Sequence, residues 1–518
     1  MFLGGKSMKT RRFLAVLMAA TMVTGMLAGC GGSSDSGSNG GGNSSSGTET
    51  GSKSESTGDM VSLTFVYPVM TTMAGQDEVN AKIAELAKEE LNIDLTVMPL
   101  TFSECMSQTP LMIQSGEQID VFPWWAQLAG NFVENGYLLD LSDYVDNMPN
   151  SLEWVTREDI ECCNVGGYIW GVTTMRERCN PQAICMRKDI LDELGINPDD
   201  IKTLDDITNV FAQVKAAHPE MTILSGASTE GLGNASDMAY NCDPLNDKFG
   251  VLDNYGAELK VVNEFETEFW QNLIYTVRDW YNAGYVSKDM ASSTDSGATQ
   301  MLAGNLFSYC DNYKPDSEQE KMQQYGLEAV EIPITQPLQH TTSVSGLAYC
   351  VNGTTEHPDE AVKLLDWLFG SKEVNNLLNW GIEGVDYVLN DEGTVSYPEG
   401  VDASNVSYHL GLGWAIPNQF VGNLWEGNDP NLYEIYKEWR NSAQKSAAFG
   451  FSFDSSSVTD EVIACKAVYD QYLPPLTTGT VDPKTGIEEF NQALYDAGLQ
   501  TIMDEKQRQL DEWAASHK

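Results

Sequence analysis

The chain is 518 residues long and carries 75 acidic side chains against 30 basic ones, a formal net charge of −45. That length allows a large core and two or three domains, while so acidic a surface repels nucleic acid and disfavours a polyanionic ligand. Charge of this size also serves as a solvated coat that keeps an exposed protein soluble.

At the start of the chain, Lys9, Arg11 and Arg12 precede an apolar run from Phe13 to Leu27 that ends in small residues. This is the layout of an export signal, and the run is short for a retained membrane span. The tetrapeptide Leu27-Ala28-Gly29-Cys30 resembles the lipobox of bacterial lipoproteins, which implies lipidation of Cys30 at the head of a mature chain. Residues 31 to 59 contain no Ala, Val, Ile, Leu, Met, Phe, Trp, Tyr or Cys. With nothing to bury, such a segment cannot offset its own ordering entropy and is expected to be disordered. As a Gly/Ser coil it spans on the order of 30 Å. The expectation is an anchor and a leash that hold a soluble body, from about Met60 onward, near the outer face of a membrane.

The body opens with LTFVYPV, Leu63 to Val69, a buried strand; Val79, Ile83, Leu86 and Leu91 then recur at helical spacing, and Ile93, Leu95 and Val97 alternate. Strand, helix and strand in that order predict a parallel βαβ unit. QIDVFPWW reads as a short strand stopping at Pro123, and NGYLLDLSDYV as a loop and amphipathic turn. Thr203 and Asp206 form a capping-box pattern ahead of Ile207, Phe211 and Val214, which starts a helix. Pro358, Asp359 and Glu360 open another, faced by Ala361, Leu364, Leu365 and Leu368; a second helix after Gly370 and Ser371 ends near Gly381. Glu488 to Trp513 reads as one long C-terminal helix. Strands alternate with helices and no solenoid repeat is present, so the class is α/β.

Besides Cys30, cysteines stand at 105, 162, 163, 179, 185, 242, 310, 350 and 465, an odd set without a CxxC pair. They are expected to be reduced thiols acting as small hydrophobes, and the adjacent Cys162 and Cys163 are poorly placed for an unstrained bridge. The histidines include no HExxH and no zinc spacing, and GxSxG, GxxxxGK[ST] and GxGxxG after a strand are absent. No cofactor and no metal are expected. A glycosidase needs only two carboxylates, which an acidic chain supplies many times over without any pair standing out.

Aromatic residues do stand out where strands end. Tyr67 closes the first strand, Trp124 and Trp125 follow DVFP, Tyr168 and Trp170 lie in GGYIWGV, and Tyr313 ends GNLFSYCDNY. Trp414 and Trp425 bracket an IPNQ segment, and Trp380 and Glu383 lie in NWGIEGVDY. Ligands of open α/β sheets collect beyond the carboxyl ends of strands. A sugar ring offers C–H faces that stack on Trp or Tyr and hydroxyls that need polar partners. Arg176, Asp311, Asn312 and Asn418 are candidates for those partners. Trp154, Trp270, Trp280 and Trp367 fall within helical patterns and read as packing.

Here the chain resembles the extracellular solute-binding proteins of carbohydrate-importing ABC transporters, the family that includes the maltodextrin-binding proteins. IDVFPWWAQLAGNFVENGYLLDLSDYV is similar to that family's strand, binding loop and turn, YIWGVTT to its hinge-entry segment and MRKDILDELGI to a helix start. GLAYCVNGTTEHPDEAVKLLDWLFGSKEV is similar to its second return, AIPNQ through Trp425 to its late aromatic loop, and NWGIEGVDY to the large Gram-positive lipoprotein subgroup. The resemblance implies two α/β lobes with a hinge and an interlobe ligand cleft, a type II periplasmic-binding-protein-like fold. Residues 60–175 with 346–410 would form one lobe and 180–340 with 412–518 the other. The crossings are expected near Thr173 to Pro181, Thr341 to Gly346 and Leu410 to Trp414. It further implies a lipid-anchored extracellular monomer of a Gram-positive-type bacterium that hands an oligosaccharide to a permease and catalyses nothing. A surface glycoside hydrolase, a binder of a peptide or other non-sugar solute, and a structural adhesin are the alternatives.

Overall fold

The computed structural model describes residues 60–517 except 235–240 and 327; the export signal, Cys30 and the segment 31–59 lie outside the described residues. Nine strands form two sheets: β1 Val61–Val69, β2 Ile93–Thr101, β3 Val121–Trp124, β4 Val172–Thr173, β5 Gln182–Arg187, β6 Thr222–Leu224, β7 Leu306–Asn312, β8 Ala329–Pro333 and β9 Ala348–Val351. The first sheet has the order β2-β1-β3-β9-β4 and the second β8-β5-β7-β6. β1 lies parallel to β2 with Val61 opposite Ile93 and Val69 opposite Thr101, and parallel to β3. As an inner strand it is covered on both faces, and this is why its apolar run is continuous rather than alternating. The predicted βαβ unit is present, its helix Gln76–Leu91 ending at Asn92 in the left-handed conformation with φ 59°. β3 runs through Pro123 to Trp124, one residue past the expected stop.

The capping box of Thr203 and Asp206 starts the helix Leu204–Ala217 as predicted, and the helices Pro358–Gly370 and Lys372–Trp380 follow each other around Ser371. The predicted single C-terminal helix is instead two, Pro483–Asp496 and Leu499–Ser516. Gly498 breaks it with φ 108°, and a Cβ there would lie 2.5 Å from the Glu461 side chain. Glycine meets both demands, since it has no Cβ and reaches left-handed φ freely. Among the described residues no helix is long and apolar enough to cross a membrane. All nine cysteines after Cys30 are buried and unbridged; burial pushes the Cys105 and Cys310 thiols up to about 12, so they stay protonated.

Each sheet has its own apolar core. The first contains Phe65, Val79, Ile83, Tyr349 and Leu365, and the second Ile184, Phe211, Trp270, Phe307 and Phe490. Two passages between them lie near the expected places, Thr174–Pro181 between β4 and β5, and 334–347 between β8 and β9. The third does not. Leu410, Ile416, Phe420, Leu432 and Tyr436 pack in the first core and Ala448 is the next residue in the second, so the chain crosses between 437 and 447 rather than at 410–414. What holds 408–420 back is hydrogen bonding: Tyr408 Oη donates to the Leu378 carbonyl at 2.7 Å and Asn418 Nδ2 to the Phe369 carbonyl at 2.8 Å. The second and third crossings run side by side, with Leu338–Gln339 paired in parallel with Gln444–Lys445.

Candidate functional site

A cavity of about 420 Å³ opens where segment 379–436 of the first lobe meets Lys314 and Glu320 of the second. Its aromatic wall is built by an excursion that starts when the helix Lys372–Trp380 stops. Gly381 ends that helix with φ 93°, and a Cβ would lie 2.5 Å from the Asp386 carboxylate. Asp386 accepts from the Ile382 N–H at 2.9 Å and the Tyr408 N–H at 3.0 Å, tying the two ends of the excursion together. Trp380 donates its indole N–H to the Asn423 carbonyl at 3.0 Å. That bond fixes the ring and leaves its apolar body for packing. Trp425 then stands 5.1 Å from Trp380, 4.7 Å from Tyr397 and 4.9 Å from His409, centroid to centroid.

Next to this cage Trp414 stacks on Phe102, 5.4 Å between centroids and 17° between planes, and Trp125 meets Phe102 edge-on at 6.3 Å. The helix that presents Phe102, Phe102–Ser115, begins with a capping box of Thr101 and Glu104. His409 sits among the rings with no partner on Nδ1, and burial pushes it down to about 4, against a smaller opposing pull from Asp386. It is a neutral imidazole at physiological pH.

The polar wall crosses from lobe to lobe. Lys314, just after β7, places Nζ 3.4 Å from Glu177 Oε1 and also pairs with Glu320. Gln419 donates to Glu177 Oε2 at 2.6 Å. Burial opposes charge on both members of the central pair, but the Lys314 ammonium is held well above its usual range by Glu177 and Glu320, and the Glu177 carboxyl below its own by Lys314 and Arg176. Both stay ionised. On the opposite rim, Asp316 of the second lobe accepts from Asn428 Nδ2 at 3.1 Å and from the Asp429 N–H at 3.2 Å. These contacts clasp the lobes over the cavity.

Of the predicted site residues, Trp380, Trp414 and Trp425 line this cavity, and Trp125 joins its aromatic stripe through Phe102. Others pack elsewhere. Tyr67 is fully buried in the first core and donates to Asn80 Oδ1 at 2.9 Å. Trp124 and Trp170 are buried in one cluster, Trp124 stacked on Phe132 at 3.7 Å. Tyr168 is half-buried and donates to the Leu138 carbonyl. Asn418 is fully buried, bonded within its own lobe to Asn375 and Phe369. Arg176 is buried in the first crossing, and Glu383 is exposed outside the cavity lining. Asp311 pairs with Lys321 at 2.7 Å, and the Asn312 N–H donates to Asp311. Tyr313 lies 5.3 Å from Trp439 at the third crossing.

Sequence reasoning missed Phe102, Tyr397, His409, Glu177, Lys314 and Gln419. The last three each directly follow a predicted residue, Arg176, Tyr313 or Asn418. On extended chain neighbouring side chains face opposite ways, so a one-residue offset decides which side chain meets the cavity. A larger cavity of about 930 Å³ lies at the other end of β1, between Val61, Gly116 and Thr355; no Trp, Tyr or Phe lines it. Among the described residues no group of three or more His, Cys, Asp or Glu is placed to hold a metal ion.

Two α/β lobes, three crossings and a cavity between them define a two-lobe solute-binding protein. Residues 72–375 match the model of the bacterial extracellular solute-binding protein family, and the chain belongs to that family. Residues 447–515 match a domain of unknown function, DUF3502. A carbohydrate ABC transporter substrate-binding protein of Streptococcus pneumoniae serotype 4 is 23% identical over 475 residues, 90% of this chain and 94% of its own. Among solved structures, the N-glycan transport solute binding protein NgtS of Streptococcus pneumoniae is similar with a TM-score of 0.77 at 21% identity, covering 88% of this chain and 100% of its own. A solute binding protein of Bifidobacterium longum infantis, described as HMO binding and ABC-transporter associated, is similar with a TM-score of 0.55 at 16% identity, covering 88% and 98%.

Proposed function

We propose that the protein is the substrate-binding component of a carbohydrate ABC importer, closing its lobes on an oligosaccharide in the cavity around Trp380, Trp414 and Trp425. The observation that carries this reading is that cavity: tryptophan and tyrosine rings on one wall and an ionised polar wall shared by both lobes. Flat rings suit the C–H faces of sugars, and polar groups at the edge suit their hydroxyls. A ligand touching both lobes favours the closed form in proportion to its extra contacts there. The permease then receives the closed form, and a lipid on Cys30 with the 31–59 leash keeps the body within reach of it. NgtS has been seen in complex with Man1GlcNAc and with Man5GlcNAc, so oligosaccharides of mannose and N-acetylglucosamine are the first ligands to try. Binding without cleavage is favoured by the lining: among the described residues its carboxylate is Glu320, bound to Lys314, where glycoside hydrolysis needs a pair flanking the bond. Calorimetric titration of the purified protein with a panel of neutral oligosaccharides and peptides tests the reading. Saturable binding of a glycan that leaves it uncut is expected; a response to peptides alone defeats it.

A further inference from the structure

The charged groups of the cavity leave no cation over for an anionic guest. Among the described residues lining it, Lys314 carries the one permanent positive charge and Glu320 the one negative. Lys314 is already shared between Glu320 and Glu177, and Gln419 pins Glu177 from its other oxygen. The neighbouring cations are taken as well. Lys321 pairs with Asp311 at 2.7 Å and Glu331 at 3.0 Å, Arg440 with Asp159, and Arg176 is buried beside Glu177 in the crossing. The Asp316 carboxylate, a further negative charge, accepts from Asn428 of the lining. Lys314 is thus neutralised in advance, by Glu320 in the lining and by Glu177 outside it, in a partly dewatered space where charge acts more strongly than in bulk water.

We propose that the cavity selects its sugar by charge, accepting uncharged rings and rejecting rings that carry a carboxylate, with Glu177 and Glu320 as the specificity-determining residues. To reach Lys314, a sugar carboxylate has to displace Glu320 and then lie beside Glu177, so that like charges crowd one ammonium. A pair of neighbouring hydroxyls meets no such conflict: one accepts from the third N–H of Lys314 while the other donates to Glu320. The selectivity therefore comes from a cation neutralised in advance, not from the overall acidity of the surface.

This inference rests on the sugar reading of the cavity, and the experiment separates the two. The purified protein is titrated calorimetrically with a neutral mannose and N-acetylglucosamine oligosaccharide, and with the same oligosaccharide oxidised at its terminal C6 to a carboxylate. The oxidised form is expected to bind at least about tenfold more weakly, equivalent to about 1.4 kcal/mol. The gap is expected to shrink severalfold in Glu320→Gln, whose side chain is 36% exposed and peripheral to the fold. It should also shrink when salt is raised to about 1 M, where the screening length falls to about 3 Å. Equal affinity for the two sugars, or an unchanged ratio in Glu320→Gln, overturns charge selection and leaves the sugar reading intact. Failure to bind either sugar overturns both.

Discussion

Two tryptophan clusters in the first lobe invite comparison. Trp124, the last residue of β3, and Trp170, just ahead of β4, lie within a cluster that includes Phe122, Phe132, Ala348 and Cys350. Trp380 and Trp425 lie in a satellite cluster whose buried members are Tyr387, Val395 and Trp425, with Tyr397 packed against it. Both groups follow strand or helix ends and both are rich in rings. The difference lies in what stands behind them. The first group is closed over, Trp124 and Trp170 each 1% exposed, whereas Trp380 and Trp425 of the second line the cavity. Aromatic content alone does not bring rings to a cavity; an open side does.

The comparison can be broken most forcefully at Trp124. Trp124→Ala should cost about 3 to 5 kcal/mol of stability, as for a large ring removed from a closed core, measured by denaturant unfolding, with no loss of glycan affinity in the protein that remains folded. If affinity falls while stability holds, the two clusters have been assigned the wrong way round.

The next largest effect depends on pH. His409 titrates at about 4 in the folded protein because it is buried, against about 6.5 when unfolded. Between those values the unfolded chain binds more protons, so stability is fully present above pH 6.5 and is lost as pH falls toward 4. The contribution is at most about 3 kcal/mol. Unfolding midpoints across that window, compared between the wild type and His409→Phe, should show a shallower acid-side slope in the variant. Parallel slopes would mean the satellite cluster is wetter than its packing indicates.

Trp414→Ala should weaken oligosaccharide binding by about 1 to 3 kcal/mol, read by calorimetry, while lowering stability less than Trp124→Ala does. Its ring is partly buried and stacks on Phe102. The smallest effect is expected at the clasp. Asp316→Asn keeps a residue type that tolerates its φ of 62° but weakens the bonds to Asn428 and Asp429. The apparent affinity should drop by the equivalent of about 0.5 to 1.5 kcal/mol through a smaller closed fraction, and X-ray scattering of the free protein should report a larger mean radius.

Much of the fold was legible because its signals are local. A continuous apolar run, a capping box and a proline at the first helical turn each act over a few residues, and each appears where the sequence indicates. The break at Gly498 was written in the sequence too, yet a lone glycine within a helical pattern does not by itself reveal that its φ is positive. The third crossing was not legible. Segment 408–436 is apolar enough to join either core, and hydrogen bonds such as those of Tyr408 and Asn418 to distant carbonyls decide the matter. The site was half legible for a related reason. Trp380, Trp414 and Trp425, marked as candidates by type and position, line the cavity, whereas Glu177, Lys314 and Gln419 each stand one residue past a candidate, the spacing at which extended chain changes face. Tyr67, Trp124 and Trp170 resemble the site aromatics in every local respect and differ only in what the rest of the chain lays over them.

The paired segments Leu338–Gln339 and Gln444–Lys445 are closed at their ends by the Gln444 N–H to the Pro337 carbonyl at 3.2 Å and the Ser446 N–H to the Gln339 carbonyl at 2.8 Å. Two of the three crossings are therefore hydrogen-bonded to each other rather than independent strands of chain. A movement of one lobe against the other would have to carry both of these segments together, so neither can shift without the other.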